Sequence, residues 1–465
     1  MKYKIFGERE EKDYRTRDGS YLLSFNDNFL FPVILNKDGC YLIGGGIENN
    51  ETPLETLSRE VVEEIGAHIN DHPAFICHNT SYYDLEGIDF CSNNYFYYAK
   101  VLDVFKASEE YNVLHWFTIE ETLNQLTLDH QRWAVVCFYE DFLSFENSND
   151  KLIDSYKFIK GLEHNNLEEL RKIPKSDFHN HAPYGGNPDT FKSITGYEIN
   201  KTEIKFKSIV EMNQWCDENI SRRFDNKEGF LKRVNSAFLQ ASLDGVTKLC
   251  LNFGVCAIKY FDSESNMIEC IEQVKKDSFY EGEFLPELCL DRHKYSEEYV
   301  KTFKNLVKTN YFYSLDLTGD EELPIDWIVP LYEYARKHGL VLKAHIGEFS
   351  DANAIVNLIE QLNLQEVQHG IHVVESIKAL EYAKSNKIVF NIAPTSNLRL
   401  CRVDDLKNHP IKKICDYGLN VTINTDDNFI FNTTINNEYL QLYQSGTLSA
   451  ERLNQIRLFG LNHKR

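Results

Sequence analysis

The sequence predicts two unlike folds on one chain, an α+β domain over residues 1–140 and an α/β barrel of the (β/α)8 type over residues 173–465. Three observations support this. The chain of 465 residues is too long for one ordinary core. Its first 140 residues alternate short strand-like runs with two helical stretches. From Pro174 onward, apolar strands alternate with helices eight times, and the polar residues 141–172 between the two parts are expected to form a helical connector.

Local signals define the elements of the first domain. Phe31–Leu35 and Tyr41–Ile43 flank a polar turn and predict a β-hairpin. Thr52 and Pro53 predict the start of a helix over residues 52–65. A strand is expected near residues 94–101, and a capping box predicts a helix that starts at Thr118.

The second domain is predicted from apolar runs of strand length. The segment between its first two strands is too long for an ordinary βα loop. Its helical stretches around 209–215 and 230–239 are expected to form a cap over the mouth of the barrel. The eight predicted strands are 176–181, 247–255, 285–290, 311–317, 340–345, 366–369, 387–393 and 420–425.

Composition limits the partners and the compartment. A formal net charge of −21 argues against general nucleic-acid binding, which requires a basic surface. No apolar run reaches the roughly 18 residues of a membrane span, and we expect no membrane partner. The 11 Cys contain no CxxC pair, which favours reduced thiols and a cytoplasmic location. The composition is compatible with a monomer and with a homo-oligomer.

The first chemical motif is an acidic cluster on the helix predicted for residues 52–65. Glu60, Glu63 and Glu64 are spaced i, i+3 and i+4, so their carboxylates share one helix face. Like charges in this arrangement repel one another unless a cation lies between them, and Mg²⁺ or Mn²⁺ prefers such oxygen ligands. A solvated acidic face is the usual interpretation of an isolated cluster, but it does not explain Gly45 and Arg59 at their spacing.

Gly45, Glu51 and the run from Arg59 to Gly66 together resemble the Nudix box, which binds divalent metal and cleaves nucleoside diphosphate linkages. The resemblance covers residues 1–140. It implies that Glu63 and Glu64 serve metal binding and catalysis, that Arg59 orients a carboxylate and that Gly45 shapes the loop. A further acidic residue from a later loop, Glu109 or Glu110, is expected to complete the metal set, and we favour Glu110. The Nudix substrate stays open.

The second chemical motif is His179-Asn180-His181. Two His side chains at i and i+2 of a strand point to the same side, here into the barrel mouth. With a third His and a carboxylate they would suit Zn²⁺. Two His residues at this spacing are by themselves weak evidence for a metal site, and a single His is more often structural.

The stretch from Ile173 to His181 resembles the opening of adenosine deaminases, and the other motifs of that family follow in order. They are GDE at Gly319–Glu321, HxGE at His345–Glu348, HG at His369–Gly370, PTSN at Pro394–Asn397 and TDD at Thr425–Asp427.

This resemblance covers residues 173 to about 460 and implies a zinc-dependent purine deaminase. In this family Glu348 would protonate N1 of the purine, and His369 would take the proton of the water that attacks C6 and stabilise the developing charge. Asp427 and the N–H of Gly319 would bind the purine at N7 and N3. The implied zinc ligands are His179, His181, His345 and Asp426.

One departure from the family pattern bears on the substrate. Adenosine deaminases carry an Asp that meets the ribose 5′-hydroxyl, and Pro183 stands at that position here. A carboxylate there would repel a 5′-phosphate, and its loss removes that barrier. The backbone at Gly185 could offer N–H groups to an anion. A loop of different course with another ribose contact is the alternative.

The two motifs together favour a bifunctional enzyme. We expect deamination of an adenine nucleotide, with ATP or dATP favoured, followed by hydrolysis of the triphosphate to monophosphate and pyrophosphate. The alternative is an adenosine or AMP deaminase whose Nudix domain acts on an unrelated nucleotide or only senses one. Draining ATP would be toxic unless controlled, which is typical of an antiviral or stress effector.

Overall fold

The computed structural model describes residues 2–26, 30–48, 50–70, 72–85, 87–102, 112–144, 151–198 and 204–463. It divides into two compact units, the N-terminal unit Met1–Tyr156 and the barrel unit Lys157–Arg465. The division falls inside the connector predicted for residues 141–172. Each unit is described by itself.

The N-terminal unit contains mixed β-sheets, as expected for an α+β domain. One sheet has the order β1-β8-β9-β3-β6, with β2 on β9, a second has the order β11-β4-β5, and β10 pairs with β7. The strands are β1 Lys2–Phe6, β2 Arg15–Thr16, β3 Gly19–Leu23, β4 Phe31–Asn36, β5 Gly39–Leu42, β6 Gly44–Gly46, β7 His68–Ile69, β8 Ala74–Leu85, β9 Ile88–Tyr98, β10 Val101–Leu102 and β11 Val113–Phe117. The helices are α1 Pro53–Ile65, α2 Ile119–Gln125 and α3 Asp129–Ser144.

Helix α1 packs its apolar face against this mixed core. Leu57, Val61 and Ile65 are buried in one cluster with Leu22 and Ile34 from β3 and β4. This spacing of apolar residues turns the acidic positions of α1 away from the core. The hairpin of β4 and β5 and the capping box at the start of α2 agree with the sequence predictions.

The described residues of the barrel unit form eight parallel strands in chain order, each paired with the next. An isolated parallel bridge between Asn180 and Asp426 joins the first strand region to the last, so the barrel is nearly closed. The predicted fold class is confirmed. The strands are β12 Lys175–Asp177, β13 Val246–Gly254, β14 Glu283–Asp291, β15 Ser314–Thr318, β16 Val341–Ile346, β17 Glu366–His369, β18 Val389–Ile392 and β19 Asn420–Ile423.

Helices alternate with these strands. Among the described residues, no helix is both long and apolar enough to cross a membrane. The helices are α4 Lys151–Glu163, α5 Leu167–Lys172, α6 Pro188–Thr195, α7 Ile209–Cys216, α8 Arg222–Phe224, α9 Lys227–Leu243, α10 Glu264–Asp277, α11 Glu297–Lys308, α12 Val329–Lys337, α13 Ala352–Leu362, α14 Ile377–Ser385, α15 Pro394–Arg399, α16 Ile411–Asp416, α17 Asn428–Phe431, α18 Ile435–Gln444 and α19 Ala450–Asn462.

The segment between β12 and β13 differs in part from the expected cap. A π-helical turn at Asp217–Ser221 joins α7 to α8, and this region forms an apolar cluster with α6 and α17. Helix α9, which contains the stretch 230–239, packs against α6 and also along β13 and α10. Its contacts with β13 and α10 are those of a helix of the barrel wall.

Candidate active sites

The acidic helix α1 is set in place by strong signals at both ends. The Thr52 hydroxyl accepts from the backbone N–H of Glu55, whose side chain bonds back to the Thr52 N–H. Gly66 ends the helix in the left-handed conformation at φ +58°, which Gly adopts at little cost. The helix frame therefore places Glu60, Glu63 and Glu64 on one face, as the spacing predicts.

Arg59 organises this acidic face. Its Nε lies 2.9 Å from Glu51 Oε1, and its Nη1 lies 2.8 Å from Glu60 Oε1 and 2.9 Å from Glu63 Oε2. Its Nη2 also donates to the carbonyl of Gly46 at 3.0 Å. The bond from Arg59 lowers the pKa of Glu51 to about 2. The guanidinium thus offsets the repulsion that three neighbouring carboxylates would otherwise cause.

The glycine loop fits closely against the same carboxylates. A Cβ on Gly45 would lie 2.6 Å from Glu60 Cδ, so a larger residue would displace that side chain. Glu64 accepts from the Gly44 N–H at 2.9 Å and from Asn112 Nδ2 at 3.2 Å. The carboxylate oxygens of Glu60, Glu63 and Glu64 are hard donors of the kind that Mg²⁺ or Mn²⁺ prefers. Glu109 and Glu110 lie outside the described residues.

At the barrel mouth, side chains from the carboxyl ends of three strands, β12, β16 and β19, converge. His179 and His181 lie just beyond β12, which ends at Asp177, and not on the strand as predicted. Backbone bonds hold this extension in place, from the His181 N–H to the Asp426 carbonyl and from the Asp426 N–H to the His179 carbonyl. His345 lies in β16, so the site joins strands that are distant in sequence.

The distances between the donor atoms fit a metal ion. His179 Nε2 lies 3.0 Å from His345 Nε2 and 3.3 Å from Asp426 Oδ1, and His181 Nε2 lies 3.1 Å from the same oxygen. Ligands 2.0–2.1 Å from a tetrahedral zinc ion are separated by roughly 3.3 Å. His369 belongs to the same group of donor atoms as His179, His345 and Asp426, whereas the predicted ligand His181 groups with Asp426 and Asp427. The donor set of imidazoles and one carboxylate therefore suits zinc.

Asp316 orients one of these imidazoles, a role that the sequence did not reveal. Its Oδ2 lies 3.0 Å from His345 Nδ1 and accepts from Asn252 Nδ2 at 2.8 Å. Burial would raise the pKa of Asp316, but His345 and its neighbours hold it below the usual range. With Nδ1–H bound to this carboxylate, the lone pair of His345 lies on Nε2 and faces the cluster. The available signal was the position of Asp316 near the carboxyl end of a barrel strand.

Two further residues fix the loops that carry the reactive groups. Glu321 accepts from the backbone N–H groups of Gly347 and Glu348 at 2.9 and 3.1 Å. Arg292 is buried and donates to the carbonyls of Gly319 and His345 at 3.0 and 2.9 Å. Glu321 ends the GDE motif, but its contacts and those of Arg292 join residues far apart in sequence, so the motif does not reveal them.

Glu348 and His369 face each other across the cluster. Glu348 is 4 % exposed, and burial together with the charge of Asp426 raises its pKa well above the usual value. Its Oε2 lies 3.7 Å from His369 Nε2. A buried carboxyl that holds its proton can act as a general acid. His369 and Asp426 both adopt positive φ, +63° and +59°, which is uncommon for residues other than Gly and is often found at functional sites.

A cavity of about 450 Å³ opens beside this cluster and is lined by Asp427, Gly319 and Pro183 among others. Burial raises the pKa of Asp427 to about 7, and its Oδ1 has no hydrogen-bond partner among the described residues. Gly319 has φ +101° and borders the same space. Gly185 is not part of the lining. It packs against Asn180 and Ala237, so the structure does not bring this predicted anion contact to the cavity.

The comparisons with known proteins agree with this geometry. The family profile described as adenosine deaminase matches residues 285–463, and the profile described as NUDIX domain matches residues 32–138. The NUDIX match lies in the N-terminal unit, and the adenosine deaminase match lies in the barrel unit. The deaminase profile begins after His179 and His181. The fold brings these two residues next to Asp426, which lies in the matched segment.

Individual relatives extend the similarity over the whole barrel. The putative adenosine/adenine deaminase of Treponema pallidum (strain Nichols) is 27 % identical over 296 residues, which are 63 % of this chain and 99 % of that protein. A COG1816 amidohydrolase from Burkholderia ambifaria, solved with bound Zn, has a TM-score of 0.52 at 17 % identity and covers 63 % of this chain and 86 % of its own. An Arabidopsis ADAL structure complexed with IMP has a TM-score of 0.54 at 18 % identity, with coverages of 64 % and 93 %. These two structures share the fold.

Proposed function

We propose that this chain is a bifunctional nucleotide enzyme. The barrel deaminates an adenine nucleotide, with ATP or dATP favoured, to its inosine form. The NUDIX domain then hydrolyses the nucleoside triphosphate to the monophosphate and pyrophosphate. The main support is the barrel cavity, where the buried Glu348, whose pKa is raised by burial, lies beside a cluster of imidazoles suited to zinc.

Different residues of the barrel have different roles in the proposed deamination. His179, His181, His345 and Asp426 would hold zinc, which supplies Lewis acidity and lowers the pKa of water to about 7. Glu348 donates its proton to N1 of the purine, which makes C6 electrophilic. Water adds to C6 and ammonia leaves.

The base is oriented by groups along the cavity wall. Asp427 has a buried oxygen that makes no hydrogen bond within the described part of the chain, and this oxygen suits the N7 edge of a purine. The Gly319 N–H is proposed to meet N3. Together these contacts would present C6 to the cluster, while Glu348 faces N1.

Two observations favour a phosphorylated substrate. Pro183 lines the cavity where the family places a carboxylate, so no negative charge at this position opposes a phosphate. Lys294 lines the same cavity and is exposed, so its ammonium group is available to a phosphate. The Arabidopsis relative that was solved with IMP supports a nucleotide in this type of barrel.

In the NUDIX domain, Glu60, Glu63 and Glu64 are proposed to hold Mg²⁺ or Mn²⁺, with Glu110 as a further ligand. Glu63 and Glu64 also serve catalysis. Divalent metal supplies charge neutralisation of the phosphates and activation of the attacking water. Arg59 holds Glu51, Glu60 and Glu63 in position for this role.

A pair of matched variants tests both halves. We expect Glu348→Gln to reduce deamination of ATP by about 10²–10⁴-fold and to leave pyrophosphate release from supplied ITP unchanged. We expect Glu63→Gln to reduce pyrophosphate release from ITP and to leave deamination of ATP unchanged. Each variant is the control for the other, and products are resolved by mass spectrometry. Full deamination by Glu348→Gln would disprove the assignment of the barrel site.

A second candidate function has its own support. The Treponema relative is named for adenosine or adenine, which are not phosphorylated. In this alternative the barrel deaminates adenosine or AMP, and the NUDIX domain acts on an unrelated nucleotide or senses one. In a sensor, Glu63→Gln would leave nucleotide control of deamination intact, because binding does not require catalysis.

A further inference from the structure

A chain of buried hydrogen bonds leads from the start of α16 to His369. The Ile411 N–H donates to His409 Nδ1 at 3.0 Å, and His409 Nε2 lies 3.3 Å from Asn397 Oδ1. Asn397 Nδ2 lies 3.1 Å from His369 Nδ1. Asn397 is fully buried and His409 is 2 % exposed, so water does not compete for these bonds.

The direction of every bond in the chain follows from its first donor. A backbone N–H can only donate, so His409 Nδ1 accepts from Ile411. Burial lowers the pKa of His409 to about 3, and the neutral ring therefore carries its one hydrogen on Nε2. This hydrogen selects the oxygen of the Asn397 amide and leaves the amide N–H to face His369.

The last bond determines the tautomer of His369. Its Nδ1 accepts from Asn397, so in the neutral ring the hydrogen lies on Nε2. That nitrogen points toward the reaction centre, 3.7 Å from Glu348 Oε2 and 3.7 Å from Asp426 Oδ2. The ring therefore presents a donor to the place where the attacking oxygen would lie.

We propose that Asn397 and His409 are positioning residues that hold His369 as an Nε2–H donor to the reacting oxygen. This inference rests on the proposed deaminase function. It removes one part of the role that the family resemblance implies for His369, since Nδ1 accepts from Asn397 and Nε2 already carries its hydrogen, so neither nitrogen can take a proton from water. When water adds to C6, its proton goes to a neighbouring carboxylate, Glu348 after proton donation to N1 or Asp426. His369 stabilises the developing charge on the oxygen.

Three substitutions distinguish the effect of hydrogen-bond direction from the effect of side-chain packing at these positions. His409→Gln keeps an N–H near the position of Nε2, whereas His409→Leu fills the space without a donor. Asn397→Asp places a carboxylate beside His369 Nδ1, which would draw the hydrogen to Nδ1 and leave Nε2 as an acceptor. We expect kcat to fall by about 10–100-fold in His409→Leu and Asn397→Asp, with KM little changed, and His409→Gln to retain most activity.

The tautomer itself is read from the imidazole ¹⁵N chemical shifts of the zinc-loaded enzyme labelled with ¹⁵N-histidine. The spectrum of a His369→Gln variant identifies the signal of His369. We expect an Nε2–H ring in the wild type and in His409→Gln, and an Nδ1–H ring in Asn397→Asp. Zinc content and the melting temperature show whether each variant is folded and loaded.

These readouts distinguish failure of the inference about the hydrogen-bond chain from failure of the proposed function. An Nδ1–H or doubly protonated ring in the wild type would overturn the inference, as would equal kcat values for His409→Leu and His409→Gln. If no purine is deaminated, the proposed function fails, and the NMR signal still decides the tautomer. If a variant does not fold, the wild-type spectrum alone decides.

Discussion

Replacing Asp316 with Asn tests how far the zinc site depends on a residue that does not touch the ion. The carboxylate accepts from His345 Nδ1 and Asn252 Nδ2 through the same oxygen, at 3.0 and 2.8 Å, and its other oxygen lies 3.3 Å from Nδ1. An amide could keep its oxygen in the shared position. Its NH₂ group would then face the Nδ1–H of His345, and the negative charge would be gone.

The magnitude follows from the type of bond that is lost. A hydrogen bond to a charged partner contributes about 1.5–3 kcal/mol, against about 1 kcal/mol for a neutral one. Loss of a carboxylate partner of a metal-bound His typically weakens metal binding by about 10–100-fold, or about 1.4–2.8 kcal/mol. We therefore expect Asp316→Asn to bind zinc 10–100-fold more weakly than the wild type, as order-of-magnitude values.

The assay is a competition titration of metal-depleted protein against a chromophoric zinc chelator. Asp326→Asn, an exposed residue, makes the same chemical change away from the site and should bind zinc like the wild type. The melting temperature of the metal-free proteins controls for folding. If Asp316→Asn bound zinc as tightly as Asp326→Asn, the argument that Asp316 sets the lone pair of His345 would be refuted.

Three further predictions concern the reactive groups and the cell. Gly45→Ala should abolish NTP hydrolysis and spare deamination in a paired assay, because the added methyl group would displace Glu60; full hydrolysis would contradict the role of the loop. Burial raises the pKa of Glu348, and only its protonated form can donate to N1. The rate of deamination should therefore persist from lower pH and fall as pH rises through that raised pKa, and a pH–rate profile of wild type that lacks this basic limb would argue against a general acid. Expression of the wild type should lower cellular ATP relative to Glu348→Gln, measured in cell extracts under conditions that activate the enzyme; equal ATP would count against ATP as the substrate.

Local sequence patterns were sufficient to predict much of the fold. Apolar runs flanked by turns predicted all eight barrel strands, because a buried parallel strand needs a continuous apolar stretch. Thr52 and Pro53 predicted the start of α1, since capping depends on neighbours within three residues. The first barrel strand was predicted too long, because the extension through His179 is held by bonds to Asp426, which is remote in sequence.

What the sequence did not reveal depends on contacts between distant segments. Asp316 joins His345 from another strand, Glu321 caps the backbone before Glu348, and His409 reaches His369 only through Asn397. These residues meet their partners only in the folded barrel, which brings distant segments of the chain together. The helix α9 was assigned to the cap for a related reason, since an amphipathic pattern does not say which surface covers it.

The most direct test of the central claim is to incubate purified protein separately with ATP, dATP, AMP and adenosine, with Mg²⁺ and Zn²⁺ present. Products are resolved over time by mass spectrometry. The account predicts that ITP forms from ATP and is then converted to IMP and pyrophosphate. Formation of inosine from adenosine, with ATP left untouched, would contradict it.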